Sequence, residues 1–153
     1  SGGPLLNMRG EVVGINTAIV SGAQNIGFAI PINRVKRAIR SVKASGEIQS
    51  PYLGVRYIIV TPELAEREKL PYNYGALVRA NDVGPAVMPN SPAERAGVKA
   101  GDIVLEVNGK RIDRASSLAN TISQFDIGQN VTLKVQRGIE ELTLTATLAK
   151  REG

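Results

Sequence analysis

The chain has 153 residues, 42% hydrophobic and 22% charged, which is the balance of a globular protein and excludes a disordered or fibrous one. It contains no cysteine and no histidine, so disulfides, thiolate chemistry and an imidazole base within the chain are excluded, and no metal or cofactor is expected. The net charge of +5 equals the number of basic residues on one short segment, Arg34, Lys36, Arg37, Arg40 and Lys43; no aromatic interleaves with them, so no nucleic-acid partner is expected.

Residues 1–7 carry no leader pattern and read as the middle of a domain. No apolar run is long enough to span a bilayer, and stable membrane insertion is not expected. Asn7 to Gly10 reads as a turn, Glu11 to Val20 as a strand, Ser21 to Asn25 as a polar loop, and Ile26 to Pro31 as a second strand. Asn33 is the expected N-cap of a helix through about Ala44, with Gly46 beyond its end. Ile32, Val35, Ile39 and Val42 recur at helical spacing and leave the basic residues on the other faces. With barely three turns and no aromatic anchor, that helix reads as a solvated face rather than a membrane-surface one. Residues 45–51 read as a linker.

The pattern then restarts. Residues 52–60 read as one strand, with Gly54 near its start. A glycine there lets the backbone turn tightly, so that consecutive N–H groups converge on an anion while the following strand offers an open edge. That equipment suits a free C-terminal carboxylate, although an ordinary buried strand fits the same residues. Thr61, Pro62 and Glu63 open a helix through about Lys69. Ala76 to Arg79 reads as a short strand, Asn81 to Pro85 as a loop, and Ala86 to Met88 as a strand fragment. Ser91 and Glu94 have capping-box spacing at the start of a short helix. Gly101 to Lys110 reads as a strand leading into an Asn108-Gly109 turn. Leu118, Ile122 and Phe125 mark one face of a helix over roughly 115–125. Val131, Leu133 and Val135, then Leu142, Leu144, Ala146 and Leu148, alternate with polar residues as an antiparallel pair. The last hundred residues suffice to bury a core of their own, and the first fifty do not.

The run from Ala86 to Lys110 resembles the signature of a PDZ domain of the bacterial protease type. It has Ser-Pro-Ala before a short helix, Ala-Gly after it, Gly-Asp-Ile before a strand and Asn-Gly at the next turn. The resemblance implies an α+β fold, mainly β: a partly open β-barrel or sandwich with two helices, circularly permuted so that the carboxylate-binding loop comes first. Tyr52, Leu53, Gly54 and Val55 fall on that loop. The strand from Val55 through Arg56 and Tyr57 to Ile58 would pair with a peptide, and the helix bearing Leu118 and Ile122 would form the opposite wall. Which of Leu118, Ala119, Ile122 and Ser123 faces the ligand stays open. Asn81 to Pro85 looks like a loop insertion at one rim.

Ser1-Gly2-Gly3-Pro4-Leu5, Gly14 to Thr17 and Ile26 to Pro31 resemble the end of a trypsin-like domain of the HtrA/Do family. By that resemblance Ser1 matches the nucleophilic serine, and Asn25, Ile26 and Gly27 line a specificity pocket for small aliphatic side chains. The implied organisation is a C-terminal piece of a trypsin-like β-barrel over 1–44, a linker over 45–51 and a PDZ domain over 52–150. It implies a serine endopeptidase of protein quality control, acting on peptide C-termini and unfolded proteins, extracytoplasmic and trimer-based in its parent form. The catalytic His and Asp are not in this chain, so the polypeptide alone is expected to be inactive. A non-catalytic PDZ module, or an adaptor with a decayed protease half, is the alternative.

Overall fold

The computed structural model describes residues 2–19 and 27–150. Two compact units divide the chain, Ser1–Gln49 and Ser50–Gly153.

The first unit is a small antiparallel sheet of β1 (Pro4–Leu6), β2 (Val12–Ile19) and β3 (Gly27–Pro31), in that spatial order, followed by helix α1 (Ile32–Ser45). The turn after β1 forms because the Asn7 side-chain oxygen accepts from the amides of Arg9 and Glu11. Gly14 is buried where a side chain would come within 3.1 Å of the Ile30 carbonyl. Asn33 is not the helix cap. The helix starts directly after Pro31, which is still paired with Gly14 as the last residue of β3, and no side chain caps it. Its other end is as expected: Gly46 takes φ 77° and donates to the Val42 carbonyl. No residue of α1 is buried, and Phe28, Ile30, Ile39 and Val42 are exposed.

The second unit contains β4 (Pro51–Tyr52), β5 (Tyr57–Ile59), α2 (Pro62–Glu68), β6 (Ala76–Val78), α3 (Pro92–Arg95), β7 (Ile103–Val107), β8 (Lys110–Arg111), α4 (Leu118–Ile122), β9 (Asn130–Arg137), β10 (Glu140–Thr147) and β11 (Ala149–Lys150). One sheet runs β10-β9-β7-β6-β5, with β8 also on β7, and β11 pairs separately with β4. The hairpin of β9 and β10 keeps an unbroken register from Asn130 opposite Thr147 to Arg137 opposite Glu140. Its alternation buries Val131, Leu133 and Val135 against Val78, Val104, Val107, Ile112, Leu118 and Leu148.

Three expectations for this unit are corrected. Residues 52–60 are not one strand: Leu53 and Gly54 interrupt it, because Tyr52 pairs with Ala149 and Tyr57 with Val78. Ala86 to Met88 reduces to a single bridge, Val87 opposite Val55. The fourth helix begins only at Leu118, because the Asp113 side chain accepts from the Ser116 amide and holds 113–116 in a turn. The Gly101-Asp102 step does more than turn the chain. Asp102 is fully buried and accepts from Arg137 Nε and Nη2 at 2.8 Å and from the Lys99 amide, while Arg137 also donates to the Gly97 carbonyl.

Candidate functional site

β5 is the edge of its sheet. Its register on β6 sets Tyr57 opposite Val78, Ile58 opposite Leu77 and Ile59 opposite Ala76. The Arg79 amide donates to the Arg56 carbonyl, and the Val60 amide to the Gly75 carbonyl. Residues 56, 58 and 60 therefore spend their backbone groups on the sheet, and 57 and 59 turn theirs to the open side. The same parity holds one step earlier. Arg56 donates to the Ala86 carbonyl and Met88 donates to the Gly54 carbonyl, so the N–H and C=O of Val55 also face outward.

Ahead of this edge lies the Leu53-Gly54 loop, and α3 holds it in place. The Leu53 carbonyl accepts from the Ala93 amide at 2.8 Å, and the Ser91 hydroxyl donates to the Gly54 carbonyl. Gly54 has φ 91°, and a Cβ there would lie 2.2 Å from Ser91 Cβ, so glycine is required twice over. Among the described residues, no acceptor meets the amides of Leu53, Gly54 and Val55.

Loop, edge and α4 enclose an open cavity of about 330 Å³. Tyr52, Leu53, Gly54, Val55, Arg56 and Tyr57 line one side, and Leu118, Ala119 and Ile122 the other. Leu118 and Ile122 are 1% and 4% exposed, so each serves the core as well as the cavity wall. Ile58 does not line it. Its side chain lies on the other face of β5 and is exposed. Met88, from the bridge segment, lines the cavity and was missed in the sequence, because nothing local marks a residue 32 positions from Arg56 as its neighbour. Arg56 is the single charged residue of the lining. Its guanidinium donates to the Pro85 carbonyl and to Met88 Sδ and lies against Gly84, which ties the 81–88 loop to this rim. The Tyr57 hydroxyl accepts from the Ala119 amide at 3.0 Å, joining the two walls.

Of the protease-like candidates, Ser1, Asn25 and Ile26 lie outside the described residues, and Gly27 opens β3 opposite Ile19. Among the described residues there is no cluster of potential metal ligands, and no helix is long and apolar enough to cross a membrane.

Comparison with known proteins bears on the same geometry. The PDZ domain family matches residues 51–148, and the trypsin family matches residues 1–39. The chain is 38% identical over 152 residues to HhoA of Synechocystis sp., named as a serine protease, covering 98% of this chain and 39% of the relative. It is 40% identical over 153 residues to a DegP-like periplasmic serine endoprotease of Chlamydia trachomatis, covering 98% of this chain and 30% of the relative. A solved structure, the HtrA-type protease AlgW with decapeptide, superposes with a TM-score of 0.72 at 32% identity over all of this chain and 46% of that one. The chain thus spans 39% and 30% of the length of these two curated relatives. Its cavity lies wholly within the span matched by the first family, apart from Ser50 at its margin. The chain therefore belongs to the PDZ domain family and carries that domain behind a trypsin-like segment, as HtrA/Do-like serine proteases do.

Proposed function

We propose that this chain is a portion of an HtrA/Do-like serine endopeptidase and that its PDZ domain, residues 52–150, binds substrates by a free, apolar C-terminus. The observation that carries the reading is the open edge of Val55, Tyr57 and Ile59 running into a loop whose three successive amides have no acceptor among the described residues. A peptide laid antiparallel on that edge would donate and accept through the outward groups, as an added strand. Its carboxylate would end on the amides of Leu53, Gly54 and Val55. Its terminal side chain would enter the cavity between Val55 and Ile122, with Met88 at the rim. A solved relative is named as carrying a decapeptide, which supports peptide binding in general.

Residues 1–44 are assigned to the trypsin-like domain and 45–51 to a linker, with Ser1 as the nucleophile and Asn25, Ile26 and Gly27 at the specificity pocket. A serine hydroxyl needs a base to become nucleophilic, and this chain contains no histidine. The polypeptide alone is therefore expected to leave unfolded casein intact, and cleavage abolished by Ser1→Ala would refute that expectation. The periplasmic naming of the relatives supports an extracytoplasmic setting.

Titration of labelled peptides ending in Val or Leu, each as free acid and as amide, tests the binding reading. Hydrogen bonds to a charged group contribute about 1.5–3 kcal/mol each, so amidation should weaken binding at least about tenfold. Equal affinity for acid and amide would reduce the loop to a strand lead-in.

A further inference from the structure

We infer that Tyr57 limits the size of the side chain accepted at the third residue from the end of a bound peptide. This rests on the peptide-binding reading above and assigns a residue that sets its specificity. With the carboxylate on the Leu53–Val55 amides, antiparallel pairing advances one residue at a time. The terminal residue then stands opposite Val55, and the third from the end opposite Tyr57. Directly paired residues carry their side chains on the same face of a sheet. For Val55 and Tyr57 that face is the inner one, since both pack against the core, whereas Ile58 between Tyr57 and Ile59 is exposed. The terminal and third-last side chains therefore both turn toward α4, and the one between them turns to solvent.

The two inward positions meet different surroundings. Val55 and Tyr57 both line the cavity, but the Val55 side chain has no polar group with which to bridge the walls. At the level of Tyr57 the ring spans from β5 to α4, where its hydroxyl accepts from the Ala119 amide at 3.0 Å. That amide belongs to the first turn of α4, where no intrahelical acceptor exists, so the tyrosine completes the helix start while it closes the cavity. A small third-last side chain lies over the ring and leaves this bond intact. A bulky one must swing the ring out, breaking the bond and leaving a helix amide unpaired.

The test uses the full chain and two peptides that end in the same free-acid Val and differ only at the third-last residue, Ala against Phe. The wild type should prefer Ala by about tenfold. Tyr57→Ala should erase or reverse that preference, and Tyr57→Phe, which keeps the ring but loses the tether, should shrink it and speed hydrogen exchange at the Ala119 amide. Tyr57→Leu makes the same comparison should the alanine variant not fold. A wild type that binds both peptides equally, or a preference that survives Tyr57→Ala or Tyr57→Leu, overturns the assignment while leaving the groove reading standing. Failure of every form to bind either peptide overturns both.

Discussion

At the scale of single residues, Gly54 and Asp102 show how a short motif carries more than its local turn. Gly54 was legible as a tight backbone position. Its contact with Ser91 was not, because the partner lies 37 residues away and only the fold brings it there. Gly54→Ala should cost about 2–4 kcal/mol, combining a strained φ with overpacking against Ser91, and should appear as a lower urea midpoint. The loss of peptide binding in such a variant would then follow partly from loss of fold. Asp102 likewise read as a turn residue before a strand, yet its carboxylate is sealed beneath Arg137. Arg137→Met leaves that carboxylate buried with only the Lys99 amide as donor, and should lower stability by about 3 kcal/mol. Arg137→Lys should recover only part of it, since a single ammonium cannot reproduce the two-pronged contact.

At the scale of elements, the starts of α2 and α3 were legible and those of α1 and α4 were not. Thr61, Ser91 and Ser117 each accept from the amide three residues on at 3.2 Å. The first two stand before Pro-Glu and Pro-Ala-Glu, which advertise a helix. Ser117 follows another serine and an aspartate able to compete for the same amides, so the start of α4 was placed too early. Thr61→Ala should cost about 1 kcal/mol in chemical denaturation. The other end of α2 is held by Glu68 paired with Arg79, and that guanidinium keeps the Glu68 carboxyl below its usual range. A carboxyl lowered in the folded state stabilises above its unfolded range and loses that contribution as pH falls through the lowered value. Arg79→Ala should therefore destabilise slightly at neutral pH and hardly at all in acid, a difference that added salt should shrink. The strand over 52–60 was misread for a different reason. Period-two alternation shows that residues are extended, but not that Tyr52 and Tyr57 have different partners on different sheets.

At the scale of the whole molecule, every buried apolar side chain among the described residues of the core lies at or beyond Leu53. The chain divides into compact units after Gln49, the apolar pattern restarts after Ser50, and the alternation of the final hairpin is carried into the core. A polypeptide of residues 50–153 should accordingly melt cooperatively at the same midpoint as that unit in the full chain; absence of a thermal transition would show that the boundary is misplaced. The shortness of β5 has one further consequence. Only Val55, Tyr57 and Ile59 face outward before Thr61 caps the next helix, so a strand added here is followed for about five residues and then let go. Considered as a message, such a tail is brief, and because its side chains point alternately in and out, only every other letter is inspected. On the proposed reading, a reader with so small an alphabet would sort chain ends into classes rather than name one.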